Sequence, residues 1–256
     1  MNKLRDLYAA GTPAIGTFCN MGDMSTIECL GYTGMDYVII DTEHGPFDTE
    51  TAMNLIRAAE SVGLVPVVRI ADVTHKEIQR MADCGAQALI VPCLRTLEDF
   101  KKCVDLTKFA PVGNRGFIKG RGCGFGNVPW ADVPLEEYMA NSNERLMLIP
   151  QCETVEALEQ IEEIVALEGI DGIFIGPFDL SITMGIPAQF KNPDFIAAVN
   201  RIYTACKNAG KPVYIYTNNV AESRAYIEQG FDGIANGLNS VILVQAYKDI
   251  VNEIKK

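Results

Sequence analysis

The chain has 256 residues, 48% hydrophobic and 21% charged, a balance that suits an ordinary globular protein with a sizeable core and excludes long disordered stretches. A formal net charge of −11 argues against nucleic-acid partners, which need Lys and Arg to neutralise phosphates. The opening MNKLRDLYAAGTPAIG contains no signal-like apolar run and nowhere do about 18 apolar residues follow one another, so a cytoplasmic protein that neither enters nor crosses a membrane is expected. Eight apolar, β-branched runs predict strands: 14 to 18, 37 to 41, 65 to 69, 88 to 91, 146 to 151, 172 to 175, 212 to 216 and 232 to 235. Amphipathic segments predict helices between them, at Thr49 to Val62, His75 to Asp83, Thr96 to Phe109, Val155 to Val165 and Phe195 to Asn208. Thr74 and Glu77 read as a capping box opening the second of these helices.

This alternation predicts parallel βα units, and eight of them favour one closed (β/α)8 TIM barrel over residues 1 to 256 rather than an open doubly wound sheet. One segment breaks the rhythm. Residues 114 to 127 carry Gly116, Gly120, Gly122, Gly124 and Gly126 with Arg115, Lys119 and Arg121, but no strand leads into them, so a mobile loop over the barrel mouth or at a subunit contact is expected in place of a dinucleotide cradle. The eight cysteines form no C-x-x-C pair and mostly sit in apolar segments, as reduced thiols do.

In such barrels the chemistry gathers at the C-terminal ends of the strands. Strand two ends in Asp41-Thr42-Glu43-His44, strand three in Arg69, strand five in Gln151-Cys152-Glu153, and strand six leads into Gly176-Pro177-Phe178-Asp179. Glu153 and Asp179 are hard oxygen donors from neighbouring strands. Together they suit Mg2+, Mn2+ or Co2+ in octahedral coordination better than Zn2+; alternatively, both only cap the helices that follow. His44 stands where Asp41 or Glu43 could hold its ring for acid–base work. Arg69 ends an apolar strand, where its charge calls for a substrate anion or for a salt bridge to Asp41 or Glu43. No strand run finishes in Lys, so a Schiff-base mechanism lacks its nucleophile and the electron sink falls to a bound cation.

YVIIDTEHGPFD (37 to 48), VPVVRI (65 to 70), DCGAQALIVP (83 to 92), Gln151-Cys-Glu153-Thr and DGIFIGPFDLSITMG (171 to 185) resemble the HpcH/HpaI aldolases, a match that spans nearly the whole chain. The resemblance implies a phosphoenolpyruvate/pyruvate-superfamily barrel and an aldehyde-lyase that cleaves 4-hydroxy-2-oxo acids to pyruvate and an aldehyde, through a metal-stabilised pyruvate enolate. It implies Glu153 and Asp179 as metal ligands, Gln151 near the metal-bound water, His44 paired with Asp41 for proton transfer at the aldehyde side, and Arg69 on the pyruvate oxygen. Backbone amides around Gly176 and Phe178 are then expected to receive the substrate carboxylate. A hexamer, a trimer of dimers, is implied as well, with the C-terminal helix (Val241 to Lys256) exchanged between subunits and Asp83 reaching a neighbour's site. An acyl-CoA lyase of the citrate-lyase β-subunit kind is the rival reading; it needs a basic groove that only residues 115 to 121 could supply. A non-catalytic 2-oxo-acid-binding barrel is the third.

Overall fold

A computed structural model describes residues 2–256. The strands are β1 (Ala14–Cys19), β2 (Tyr37–Asp41), β3 (Val65–Arg69), β4 (Ala88–Ile90), β5 (Met147–Leu148), β6 (Gln151–Cys152), β7 (Ile173–Ile175), β8 (Val213–Thr217) and β9 (Gly233–Leu238). The helices are α1 (Lys3–Ala9), α2 (Met24–Gly31), α3 (Thr49–Ser61), α4 (His75–Cys84), α5 (Leu97–Thr107), α6 (Leu135–Arg145), α7 (Val155–Glu159), α8 (Ile161–Ala166), α9 (Pro177–Thr183), α10 (Pro193–Asn208), α11 (Val220–Gln229) and α12 (Asn239–Ile254). All strand pairs are parallel, in the order β5-β4-β3-β2-β1-β9-β8-β7-β6.

The two ends of that order are one piece of chain. β5 pairs with β4 and β6 with β7, separated only by Ile149 and Pro150. The amides of Ile149 and Gln151 donate to Leu89 and Val91 on one side, while Phe174 donates to the Pro150 carbonyl on the other. The predicted fifth strand is thus present but broken at a proline, which lacks the amide to continue a ladder, and the sheet is barrel-like, returning on itself through residues 147 to 152.

Both faces of the strands are buried, which explains why they read as continuous apolar runs. Side chains alternate with period two: Tyr37 and Ile39 point into an inner cluster with Phe18, Val67, Ile90, Phe174 and Tyr214, whereas Val38 and Ile40 pack outward against the helices. At the base, Gly16 and Gly233 leave room for two rings. A Cβ at Gly16 would lie 2.6 Å from Tyr37, and one at Gly233 2.0 Å from Tyr214, whose rings meet edge to face at 6.3 Å.

Four local expectations are revised. The run 155 to 165 is two helices, because Gln160 leaves helical geometry and turns its side-chain amide to the Arg95 carbonyl and the Leu97 amide. Thr74 accepts from the Glu77 amide, but Glu77 turns toward Arg80; the complete capping box is Thr96 with Asp99 at α5. The last strand extends to Leu238. The glycine-rich segment does not cover the mouth: it forms a 3-10 turn (Arg121–Gly126) against the C-terminus of α4, beside Gln87 and Leu146, which precede β4 and β5. That is the end of the barrel opposite the strand C-termini. Arg121 binds the Cys84 carbonyl and Glu60 there, and a Cβ on Gly122 would lie 2.9 Å from the Gly85 Cα, so glycine is needed for the close approach.

Candidate active site

Asp41 and Arg69 are direct register partners at the ends of β2 and β3, so parallel pairing alone sets them side by side. Arg69 donates from Nε to Asp41 Oδ1 (2.8 Å) and from Nη2 to Oδ2 (2.6 Å), and its Nη1 lies 3.1 Å from Glu43 Oε2. Burial opposes the guanidinium charge, but Asp41 and then Glu43 outweigh it and raise the Arg69 pKa above its usual value. Asp41 Oδ1 also accepts the backbone amides of Glu43 and His44, folding the residues after β2 back over the strand end.

The expected pairing of the His44 ring with Asp41 does not occur. Both Asp41 oxygens are engaged by Arg69, and the His44 side chain, at the edge of the cavity, is 71% exposed, with Nε2 4.0 Å from Glu43 Oε2. The competing salt bridge to Arg69 takes the carboxylate because a bidentate fork outcompetes a single imidazole N–H.

Across the rim, the buried Glu153 accepts from the Cys93 amide through Oε1 (2.6 Å) and from Gln151 Nε2 through Oε2 (2.6 Å). Cys93 adopts φ 60° to aim that amide. Burial, with Asp179 and Glu43 adding to it, pushes the Glu153 carboxyl up to about 7 against the pull of Cys93 and Arg69. Gln151 Oε1 is buried without a partner among the described residues. Gly176 lies against this pair: a Cβ there would be 2.5 Å from Glu153 Oε2 and 2.9 Å from Gln151 Nε2. Pro177 starts α9 without an amide to waste, and Asp179 occupies the first helical turn, exposed to the cavity.

A cavity of about 210 Å³ joins these groups; seven of the nine residues singled out in the sequence line it, namely Asp41, His44, Arg69, Gln151, Gly176, Phe178 and Asp179. Glu153 stands just behind, bound to Gln151. Asp83 is elsewhere, at the far end of α4, where it accepts from Arg115 Nη2 at 2.8 Å. The arginines of the glycine-rich segment are therefore ion-paired at the opposite end of the barrel, and the basic groove that an acyl-CoA substrate would use is not at this mouth. Glu43, one of the two salt-bridge partners considered for Arg69, joins Asp41 there as a second arm; missed in the sequence were Cys93 as a donor to Glu153 and the walls Phe174, Tyr216 and Leu238. Their only sequence signal was position at strand ends.

Residues 14–246 match the family model for HpcH/HpaI aldolase/citrate lyase. The chain belongs to that family. It is 31% identical to a 5-keto-4-deoxy-D-glucarate aldolase of Klebsiella pneumoniae over 100% of this chain and 97% of the relative. A 4-hydroxy-2-oxo-heptane-1,7-dioate aldolase of Salmonella dublin is 31% identical over 95% of this chain and 91% of its own. Among solved structures, an HpcH/HpaI aldolase/citrate lyase family protein from Burkholderia cenocepacia superposes with a TM-score of 0.91 at 30% identity, covering 100% of both chains. The protein is thus an aldolase by family, and its strand-end residues are the place to look for the chemistry.

Proposed function

We propose that this aldolase reversibly cleaves a 4-hydroxy-2-oxo acid to pyruvate and an aldehyde in the cavity bounded by Arg69, Gln151 and Asp179. The observation that carries the reading is the Asp41–Arg69–Glu43 clamp at one rim with an oxygen-rich pocket of Gln151, Glu153 and Asp179, because retro-aldol cleavage builds negative charge on one oxygen and needs that charge met in place.

The donor set fits a divalent cation. Glu153 is buried beside two further carboxylates, with its pKa near 7, Gln151 Oε1 lacks a partner, and Gly176 keeps the space before them open. Oxygen-only donors suit Mg2+, Mn2+ or Co2+, and Glu153 and Asp179 would hold the ion. Among the described residues no group of three or more His, Cys, Asp or Glu could hold a metal ion, so two carboxylates are the protein's share, and water and substrate would have to supply the other ligands. Lewis-acid polarisation of the 2-oxo group is the chemistry that such an ion supplies when bound.

The protein's own residues do the rest. Arg69 has N–H groups to spare beyond those given to Asp41 and Glu43, and it binds the 2-oxo oxygen as charge develops there. Amides in the first turn of α9, after Gly176 and around Phe178, receive the substrate carboxylate. His44 takes the proton from the C4 hydroxyl; the C3–C4 bond then breaks, its electron pair passes into the pyruvate enolate, and a proton returns to C3. Gln151 orients Glu153 and offers Oε1 to a bound water.

We further propose a single barrel domain over residues 1 to 256 that acts in the cytoplasm as a hexamer, a trimer of dimers, with α12 exchanged between subunits and Asp83 brought to a neighbour's site. In support, α12 is apolar yet largely uncovered: Val241 is 61%, Tyr247 63% and Ile254 78% exposed. No helix of the described residues is long and apolar enough to cross a membrane. The deciding experiment follows the C3 protons of pyruvate by NMR with Mn2+ and after exhaustive chelation. Exchange that needs the metal and is lost in Glu153→Ala and Asp179→Ala supports the reading; exchange that survives both substitutions and chelation overturns it.

A further inference from the structure

We infer that the aldehyde partner is an uncharged alkyl or hydroxyalkyl aldehyde, not one bearing a second carboxylate. This rests on the pyruvate reading above and concerns the half of the cavity which that reading leaves open. The cavity is two-faced, and sheet order makes it so. Its charged side comes from β2, β3 and β6, through Asp41, Arg69 and Gln151; its other side comes from the contiguous strands β7, β8, β9 and β1, through Phe174, Tyr216, Leu238 and Phe18. The rings are locked edge to face, Phe18 to Phe174 and to Tyr216 at 5.8 Å each, and Phe178 to Tyr216 at 6.0 Å. With the oxo acid held on the charged side, pyruvate C3 gives up a proton to form the enolate, whose electron pair makes the bond to the aldehyde carbon while the aldehyde oxygen takes up a proton in its place, and the aldehyde tail extends over these rings.

A carboxylate on that tail would have no free cation to meet within the chain, and the residue that the proposed hexamer brings from a neighbour, Asp83, is an acid already paired with Arg115. Among the described residues lining the cavity only Arg69 and His44 can be positive, and Arg69 already serves Asp41 and Glu43. Lys191 lines a different cavity, of about 670 Å³, on the other side of the shared wall made by Pro177 and Tyr216. Even with a divalent ion on Glu153 and Asp179, the carboxylates of Asp41, Glu43, Glu153 and Asp179 together with that of pyruvate outweigh the ion and the one guanidinium, so a further anion would be repelled as well as stripped of water. The one polar group on the apolar side is neutral: Asn20, whose amide oxygen is buried without a partner, can accept a hydroxyl. A relative named for a 1,7-dioate makes the opposite outcome a concrete one.

The test uses the full chain with pyruvate and Mn2+ in the direction of synthesis, comparing kcat/KM for butanal and glycolaldehyde with that for 4-oxobutanoate, which matches butanal in carbon number. The uncharged aldehydes should lead by about tenfold or more, and Phe178→Arg or Tyr216→Arg should narrow that gap by supplying the missing cation. Pyruvate C3 proton exchange is followed in parallel. Exchange together with equal or better use of 4-oxobutanoate by the unsubstituted protein overturns the aldehyde class alone. Absence of exchange with every divalent metal overturns the pyruvate reading, and the inference with it.

Discussion

The Arg69 guanidinium grips the Asp41 carboxylate with two N–H groups, at 2.8 and 2.6 Å, both residues being buried at adjacent strand ends. A buried pair of this kind is weak evidence for stability, since desolvation offsets the attraction; its value here is that it fixes where the guanidinium points. Asp41→Asn keeps the oxygen that accepts the Glu43 and His44 amides but weakens the fork. Steady-state kinetics should show kcat/KM falling about 100-fold with little change in KM for pyruvate. A variant as active as the unsubstituted protein would remove Asp41 from the positioning role.

Gly176→Ala places a methyl group 2.5 Å from Glu153 Oε2 and 2.9 Å from Gln151 Nε2, so both side chains must move from their shared hydrogen bond. Mn2+ affinity measured by calorimetry should drop about tenfold or more, while the melting temperature of the metal-free protein changes little. Unaltered affinity would mean that Glu153, as Gln151 orients it, does not hold the ion.

In protein stripped of divalent ions, Glu153 makes stability depend on pH. Its folded pKa of about 7 lies above the ordinary 4.5, chiefly through burial. The stabilising effect of its bound proton is therefore complete below pH 4.5 and lost as pH rises through 7, because the unfolded chain ionises first. Thermal melts of the stripped protein should decline over that window. Glu153→Gln should flatten the decline, and saturating Mn2+ should reverse it above pH 7 by binding the folded state.

The apolar positions 241, 244, 247, 251 and 254 share one face of α12, and within one chain only Asn239 of that helix is buried. Contiguous exposed apolar surface of this kind marks an interaction site. Light scattering coupled to size-exclusion chromatography should find the full chain as an oligomer and a chain ending at Leu238 as a monomer. An unchanged mass after truncation would place the assembly contacts elsewhere.

By itself the sequence determined the order of elements and the identity of the rim. β-branched runs with helical segments between them allow few alternatives to parallel strands, and the polar groups at or just after strand ends gather at the mouth of such a barrel; hence Asp41, Arg69, Gln151 and Asp179 could be placed without coordinates. Partner choice was a different matter. Whether Asp41 holds His44 or Arg69 depends on distances of an ångström between groups from different strands, and register with the better geometry of a bidentate fork settled it for Arg69. The glycine-rich segment likewise carried no signal of which end of the barrel it would reach; close approach to Gly85 and the pull of Glu60 and the Cys84 carbonyl put it at the base. Only the order of the strands sorted the cavity into a charged side and an aromatic one, since Phe18, Phe174 and Tyr216 are far apart in the chain and meet only because β1, β9, β8 and β7 lie side by side.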